Sequence, residues 1–351
     1  MSVWRWTEHF DAVVSPAHRV SLGEGGTPCV RSRSIGPSLG MEKVYFKVES
    51  SNPTGSYKDR FAAVAVGRML ETGCDTCVAT SSGNTGAALA AYCAIAGLRC
   101  RLAVVETAPA GKLRQMLAYG AEVTRVRGFG LDPAVTQAVF SRLVEMGRMP
   151  RQVLQISAYT HSPEGMQGVE SVGMELTEVG PWDAVFCPAG AGGLTLAVAR
   201  GLERMGATRT AVHCVQPEGN ATIVTPLRDG ERRAQTVTCT TRISGLQVPT
   251  VMDGDAVIQA CRKSGGNGFA VSDIQVMEMQ RRLAREEGIF AEPAGAVALA
   301  GLQQALARGE IDPAARVVCL VTGSGFKDLD SIEVMTADAP CPLVELAEWE
   351  G

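Results

Sequence analysis

Short apolar runs alternate with longer stretches of helical spacing along most of this chain. Val44–Val48 alternates apolar and polar positions, and residues 102–105 and Val317–Val321 are continuous apolar runs, so each predicts a strand. Helical spacing follows Lys58 to about Glu71, and Gly73 comes soon after, which predicts a helix that ends there. Strands that alternate with helices predict mostly parallel sheets with helices on both faces.

The same pattern continues through most of the chain, although residues 219–255 give few readable signals. Further strands are predicted at residues 77–80, 122–126, 153–156, 184–187 and 211–215. Further helices are predicted at residues 87–96, 112–119, 164–179 and 194–205, and at starts marked by Asp132-Pro133, Ser272 and Glu292-Pro293.

The length of 351 residues suits two hydrophobic cores better than one. The predicted fold class is α/β, with two three-layer α/β/α domains. We expect residues 46–152 to form the smaller domain and residues 1–45 and 153–351 to form the larger one. Ligands of open α/β sheets bind at the carboxyl ends of strands, so the small-residue loops that follow strands are expected to converge on the cleft between the domains.

Composition narrows the class of protein. Hydrophobic residues make up 46% and charged residues 20%, which is typical of a soluble globular protein, and the net charge of −4 argues against a nucleic-acid partner or an anionic membrane surface. No apolar run approaches the ~20 residues of a membrane helix. The 11 cysteines lie mostly inside apolar runs, which favours reduced thiols and a cytoplasmic protein. Cys74 and Cys77 form a lone CxxC, so we expect no metal site.

The stretch NPTGSYKDR, residues 52–60, places Lys58 where a turn gives way to a helix. A lysine amine can form a Schiff base with an aldehyde. A surface lysine at a helix start is the alternative interpretation of this position.

A glycine-rich loop at residues 190–194 lies between a predicted strand and a predicted helix. Backbone N–H groups at such a turn can bind a phosphate, helped by the helix dipole. The loop lacks the Lys-Ser/Thr ending of a nucleotide P-loop and the spacing of a dinucleotide fingerprint. A plain strand–helix turn remains the alternative.

A phosphate loop and an available lysine together predict pyridoxal 5'-phosphate as the cofactor. Asn84 is then a candidate donor to its phenolic oxygen, and Thr322 is a candidate partner of its pyridine nitrogen. A neutral hydroxyl at that nitrogen favours elimination at the β-carbon. Taken singly, Asn84 is equally interpretable as a helix cap and Thr322 as a turn residue.

Five motifs, in this order, carry a resemblance to the fold-type-II pyridoxal phosphate enzymes of the threonine synthase-like group. They are NPTGSYKDR, SSGNTGAA, PAGAGGL, EEGIFAEPAGAVALAG and TGSGFKD, and the resemblance covers about residues 20–330. It implies a tryptophan-synthase-β-like architecture with the cofactor in the cleft between two domains. It also implies a homodimer that acts on a small amino acid.

The resemblance implies a role for each motif. Lys58 holds the cofactor and moves protons, Asn84 contacts the ring oxygen, and Thr322 meets the ring nitrogen. The loop Gly190, Ala191, Gly192, Gly193 and Leu194 holds the phosphate. The substrate carboxylate is expected at Ser81, Ser82 and Thr85.

One stretch departs from the threonine synthase pattern. Tyr159 and Ser162 stand where those enzymes commonly carry an Asn and an Arg that bind the substrate phosphate, so they become candidate substrate contacts of another kind. The loss of an Arg puts O-phosphohomoserine in question as the substrate. His161 is a further candidate, against the interpretation of a capping or packed histidine.

The function predicted from these observations is β-elimination or β-replacement on an amino acid with a hydroxyl, phosphate or similar leaving group. The alternatives are a threonine synthase acting on O-phosphohomoserine, a serine/threonine dehydratase, and a binding protein that keeps the fold without the chemistry.

Overall fold

The computed structural model describes residues 2–81, 83–108, 110–248, 251–346 and 349, and gives the backbone alone at residues 110–112. It contains ten labelled strands within this part of the chain. They are β1 Cys29–Arg31, β2 Val44–Val48, β3 Thr76–Thr80, β4 Arg99–Val104, β5 Glu122–Arg125, β6 Gln152–Leu154, β7 Ala184–Pro188, β8 Ala211–Pro217, β9 Gly268–Val271 and β10 Val317–Val321.

Helices connect these strands. They are α1 Ile35–Ser38, α2 Lys58–Glu71, α3 Asn84–Ala96, α4 Ala110–Ala118, α5 Pro133–Gly147, α6 Pro163–Val179, α7 Gly193–Arg204, α8 Val224–Arg228, α9 Gly254–Lys263, α10 Asp273–Glu287, α11 Pro293–Ala307 and α12 Leu329–Thr336. Capping agrees with the sequence: Asp132 accepts from the first turn of α5, and Ser272 and Gln275 form the reciprocal capping box of α10.

The strands form two sheets. One has six strands in the order β1-β2-β10-β7-β8-β9, and the other has four in the order β5-β4-β3-β6. Every pairing is parallel except that of β1 with β2, so the predicted parallel architecture is confirmed. Parallel strands need crossover connections, and the helices between the strands supply them.

Both faces of the larger sheet are buried, which explains why its strands are continuous apolar runs. Along β10, Val317, Cys319 and Val321 pack into a cluster with α11, while Val318 and Leu320 pack into a different cluster that includes α6 and α7. Successive side chains of a strand point to opposite faces, so the sheet is the middle of three layers.

The expected domain limits fall inside strands. A limit at residue 46 cuts β2, which pairs with β10 of the larger sheet, and a limit after residue 152 cuts β6, which pairs with β3 of the smaller sheet. The sheets therefore change after Val48 and after Leu154. The apolar cluster that contains Val318 and Leu320 also contains Cys77 and Ala79 of the smaller sheet, so the two sheets share part of their core.

Among the residues described, no helix combines the length and the apolar character that crossing a membrane requires.

Candidate active site

Lys58 is the first residue of α2, and its amine faces a neutral partner. Its Nζ donates to Ser157 Oγ at 2.8 Å and lies 4.6 Å from the centre of the Tyr57 ring. Ser157 follows β6, so its hydroxyl reaches Lys58 from the carboxyl end of a strand. The hydroxyl is an uncharged partner that holds the half-buried amine in place.

The turn that carries Lys58 is fixed from both sides. Tyr57 N donates to Thr322 O at 3.1 Å, and Ser56 forms a bridge with Gly323. The loop after β10 therefore lies directly against the lysine turn, and the buried Thr322 contacts the residue before Lys58.

Asp59, the next residue, is fully buried. Its Oδ2 accepts from Thr54 N and Thr54 Oγ1, both at 3.0 Å, while its Oδ1 has no partner. Burial raises the pKa of Asp59 to about 7, against the opposing effect of the Thr54 hydrogen bonds. The aspartate thus closes the NPTG turn and carries a proton more readily than an exposed acid does.

Arg60 anchors the same helical turn in a buried ion network. Its guanidinium donates to Glu49 and Glu175 over distances of 2.7–2.8 Å, and Lys47 Nζ donates to the same Glu175 at 2.7 Å. Although burial alone favours the neutral acid, the charges of Arg60 and Lys47 hold the pKa of Glu175 below its ordinary value. The network ties α2 to α6 and to the larger sheet, which fixes where α2 begins.

Asn84 is the first residue of α3 and meets the loop after β10. Its Nδ2 donates to Glu292 Oε1 at 2.7 Å, and its Oδ1 is buried without a partner. A Cβ built on Gly323 would lie 3.2 Å from Asn84 Nδ2. Asn84, Glu292 and the Thr322 loop therefore form one group.

The glycine loop approaches the lysine through Ser157. Gly192 has a φ of 95°, a left-handed conformation that favours glycine, and it caps α7. A Cβ built on Gly193 would lie 3.3 Å from Ser157 O, so this turn and the partner of Lys58 are neighbours. The first N–H groups of α7 have no acceptor within the helix and can bind an anion.

A buried aspartate supports this corner. Asp253 Oδ2 accepts from Tyr159 N at 2.9 Å, and its Oδ1 accepts from Thr160 N and Oγ1. A Cβ on Gly193 would also lie 3.3 Å from Asp253 Oδ2. Each carboxylate oxygen is thus occupied by donors of the residue 159–160 loop.

Tyr159 and Ser162 have their hydroxyls engaged with protein groups. Tyr159 OH donates to Glu170 Oε1 at 2.8 Å, and its ring lies 4.0 Å below the Arg200 guanidinium. Burial and the neighbouring Glu170 raise the pKa of Tyr159, which keeps the phenol protonated as a donor. Ser162 Oγ accepts from Ile156 N at 3.1 Å. Neither hydroxyl bonds to Ser157 or Lys58, and their role as substrate contacts stays a prediction.

Of the remaining predicted residues, Ser81 lies on the loop before α3, and Thr85 is the second residue of α3. Ser81 Oγ accepts from Gly83 N at 3.2 Å, and Ser81 and Thr85 are both half-buried. Ser82, predicted as a third carboxylate contact, lies outside the described residues. His161 is exposed, and its backbone N donates to Ala158 O.

Sequence reasoning missed Ser157, Asp253 and Glu292. Ser157 stands at the carboxyl end of a predicted strand, one residue before the stretch that was compared with threonine synthases, so its position was a usable signal. Glu292 was interpreted only as a helix start. Asp253 lies in the stretch with few readable signals, and nothing local indicates its contact with residues 159 and 160.

A family model described as pyridoxal-phosphate dependent enzyme matches residues 20–323 of this chain. The chain is 33% identical over 344 residues to the threonine synthase of Methanocaldococcus jannaschii, which covers 94% of this chain and 82% of that protein. It is 32% identical over 357 residues to the threonine synthase of Halalkalibacterium halodurans, which covers 97% of this chain and 96% of that protein.

Solved structures with the same fold include the processed form of threonine deaminase isoform 2 from Solanum lycopersicum, with a TM-score of 0.75, 20% identity and coverage of 97% of this chain and 94% of that chain. A fungal L-serine ammonia-lyase from Rhizomucor miehei superposes with a TM-score of 0.76 at 22% identity, covering 89% of this chain and 98% of that chain. These likenesses show the fold, in agreement with the predicted fold-type-II architecture.

Proposed function

The chain belongs to the pyridoxal-phosphate dependent enzymes, as a lyase of the threonine synthase-like group, and we propose that it eliminates or replaces a β-substituent of a small amino acid. The observation that carries this proposal is the position of Lys58 Nζ, 2.8 Å from the neutral Ser157 Oγ. Around this amine lie the glycine loop and the loop after β10, with Asn84 bound to that second loop.

The residues present fit pyridoxal phosphate. The buried Asn84 Oδ1 is an acceptor without a protein partner, which is costly unless a donor of a ligand, such as a phenolic hydroxyl, supplies one. Asn84 Nδ2 donates to Glu292 Oε1 and carries a second N–H that can donate to a ring oxygen. The turn before α7 supplies N–H groups for the phosphate, and no side chain grows from Gly192 or Gly193 into it. We assign Gly190, Ala191, Gly192, Gly193 and Leu194 to the phosphate, Asn84 and Thr322 to the ring, and Lys58 to the aldehyde.

When bound, the cofactor supplies an aldehyde for an amine and an electron-withdrawing ring beside the substrate Cα. Lys58 Nζ is the base that we assign to the Cα proton. Ser157 Oγ accepts from Nζ and orients it, and the Tyr57 ring also contacts the amine, 4.6 Å from Nζ to the ring centre. Thr322 presents a neutral hydroxyl to the ring nitrogen, which favours loss of a β-substituent.

The substrate carboxylate is assigned to Ser81, Ser82 and Thr85 at the N-terminus of α3, where N–H groups and the helix dipole favour an anion. We expect a neutral leaving group, because Ser162 takes the place of the usual Arg and its hydroxyl is already bound to Ile156 N. An Arg would have added charge-assisted hydrogen bonds of about 1.5–3 kcal/mol each.

A panel of amino acids tests this proposal. Serine and threonine, O-acylated serines and O-phosphohomoserine are each supplied to the holoenzyme, and ammonia, α-keto acid, phosphate and threonine are measured. The expected result is turnover of a β-substituted amino acid that Lys58→Ala abolishes. Threonine and phosphate formed from O-phosphohomoserine at a comparable kcat/KM would favour the threonine synthase alternative and contradict the neutral leaving group.

Ammonia and an α-keto acid from serine or threonine would identify the dehydratase alternative. A holoenzyme that binds amino acids but turns none of them over would support the non-catalytic alternative. The uncharged hydroxyl partner of the Lys58 amine favours catalysis over the non-catalytic alternative.

We also propose that the chain forms two domains that share part of their core. Residues 49–154 form the smaller domain and the rest of the chain forms the larger one, with the cofactor between them. The support is the change of sheet after Val48 and after Leu154. Limited proteolysis with and without cofactor tests it, since a bridging cofactor protects the connections.

A homodimer and a cytoplasmic location complete the proposal. The homodimer rests on the resemblance, and sedimentation of the purified holoenzyme tests it by mass. The location rests on the cysteines, since the structure has 11 free thiols and a reducing compartment preserves them. Fractionation of cells that express the native protein tests the location.

A further inference from the structure

Three cysteine thiols meet in the core beside the smaller sheet. Cys77 on β3 and Cys100 on β4 are in register on adjacent parallel strands, and Cys93 comes from α3, which packs over these strands. The three sulfur atoms all lie within 4.8 Å of one another, and all three residues are buried. None of the residues assigned to the cofactor or the substrate belongs to this group.

The three thiols shift one another's pKa values. Hydrogen bonds from Cys77 and Cys93 lower the pKa of Cys100, whereas the pKa values of Cys77 and Cys93 are raised. An isolated buried thiol behaves differently: burial alone raises the pKa of Cys319 on β10. The thiolate is the form of cysteine that binds metals, and the three sulfur atoms are close enough together to bind one cation.

The spacing suits one ion with three sulfur ligands. With metal–sulfur bonds of about 2.3 Å, three sulfurs around a central ion lie roughly 4 Å apart, which the observed spacing accommodates. Zinc in structural sites takes four ligands, and no fourth Cys, His, Asp or Glu joins the group among the described residues. Soft thiolate ligands select Cu(I), which carries a single positive charge into the apolar core.

We propose that Cys77, Cys93 and Cys100 form a binding site for one Cu(I) ion, held by three sulfur atoms. Binding replaces thiol protons, which leave to solvent, and involves no change of oxidation state when copper is supplied as Cu(I). Cys100 is 5% exposed while Cys77 and Cys93 are 0% exposed, so the ion enters on the side of Cys100.

The chain contains its own control for this site. Cys187 on β7 and Cys214 on β8 are also in register on adjacent parallel strands, and Cys261 comes from a helix, α9. All three are buried, but burial rather than contact with another thiol is the leading cause of their raised pKa values. Among the cysteines that the structure describes, only the first set brings three sulfurs within 4.8 Å.

The experiment titrates reduced holoenzyme with Cu(I) under anaerobic conditions against a chromogenic Cu(I) chelator. Wild type is expected to remove one equivalent of Cu(I) from the chelator. Cys93→Ala is expected to lose that equivalent, and Cys261→Ala, the matched helix cysteine, is expected to keep it. Retained cofactor absorbance and amino-acid turnover show that each variant is folded; Cys93→Ala adds one alanine to an alanine-rich helix, and Cys93→Ser is the second variant if the first does not fold.

X-ray absorption of copper-loaded wild type gives a readout that does not depend on variants, with three sulfur neighbours expected. Equal uptake by wild type and Cys93→Ala would overturn the proposal, as would loss of uptake in Cys261→Ala. A reduced wild type that takes no Cu(I), or that forms only a Cys77–Cys100 disulfide in air, would overturn it as well.

Discussion

Two buried or half-buried lysines lie close together in the chain and have opposite surroundings. Lys47 Nζ donates to Glu175 Oε2 and to Thr27 O, both at 2.7 Å, and Lys47 is 2% exposed. Lys58 Nζ donates to a hydroxyl, Ser157 Oγ, at 2.8 Å. The Lys47 amine forms an ion pair with a carboxylate, whereas the Lys58 amine is oriented by an uncharged hydroxyl.

The difference separates an amine that holds the fold from one that is available for chemistry. An ion-paired ammonium in a buried network acts as a structural cation, whereas an amine beside a neutral hydroxyl is available to form a Schiff base with an aldehyde. The two environments share one helical turn, because Arg60, two residues after Lys58, belongs to the Lys47 network. The network fixes the start of α2 and, with it, the position of Lys58 beside Ser157.

The largest expected effect comes from breaking the network at Arg60. Arg60→Leu leaves Glu49 and Glu175 buried without their main cation, and removal of one partner of a buried pair costs about 3–5 kcal/mol. Urea unfolding of the cofactor-free protein measures the loss. Arg142→Leu is the matched control, since its pair with Glu145 is exposed and such pairs contribute about 1 kcal/mol or less. Equal losses in the two variants would contradict the anchoring role.

The two lysines themselves give the next contrast. Lys47→Met removes a cation from Glu175, which keeps Arg60, so we expect a loss of about 1–3 kcal/mol in the free energy of unfolding. Lys58→Met gives up one hydrogen bond to a neutral group, so we expect a loss of about 1 kcal/mol or less, with turnover abolished. Denaturant titration of both cofactor-free variants measures the two losses in the free energy of unfolding. A larger loss for Lys58→Met than for Lys47→Met would contradict the structural role of Lys47.

Asp59, the residue after Lys58, is expected to make the free energy of unfolding depend on pH. Its folded pKa of about 7 lies above the unfolded value of about 3.9, so its contribution to stability is complete below pH 3.9 and is lost as the pH rises through 7. Asp59→Asn keeps an oxygen for Thr54 and removes the titration. Wild type is therefore expected to lose stability relative to Asp59→Asn between about pH 4 and pH 7.

Unfolding midpoints in urea at several pH values across this window measure the difference between the two proteins. Parallel pH profiles would show that Asp59 is ionised in the fold.

The smallest effect is expected at Ser157. Ser157→Ala removes the hydroxyl that orients Lys58 Nζ, and a neutral hydrogen bond contributes about 0.5–1.5 kcal/mol, so kcat is expected to fall by about tenfold at most. Cofactor absorbance should remain. Thr177→Ala is the control away from the site, because its Oγ1 donates to Met174 O within α6. A fall in kcat of the same size for Thr177→Ala would contradict the positioning role of Ser157.

Local signals predicted the helix and strands around the site well. Val44–Val48 and Val317–Val321 have the bounds expected from the sequence, and the helix expected after Lys58 runs from Lys58 to Glu71. Each is a strong periodic or apolar run bordered by polar or turn residues. The missed elements lack such runs. Cys29–Arg31 is a three-residue edge strand with exposed side chains, and Gly268–Val271 begins with a glycine.

The directions of the side chains around the site could not be predicted from the sequence. Comparison with threonine synthases made Tyr159 a candidate substrate contact, but Glu170 and Arg200, from two different helices, decide where its hydroxyl and ring lie. Glu292 meets Asn84 across 208 positions of the chain, and no local pattern reports such a contact.

The most direct measurement locates the covalent bond between protein and cofactor. Purified holoenzyme is reduced with borohydride and digested, and the peptides are analysed by mass spectrometry. The contrast between the two lysines predicts one pyridoxyl group, on Lys58, with Lys47 unmodified. A modified Lys47, a modification at another lysine, or a protein that carries none would contradict the assignment of Lys58 as the reactive amine.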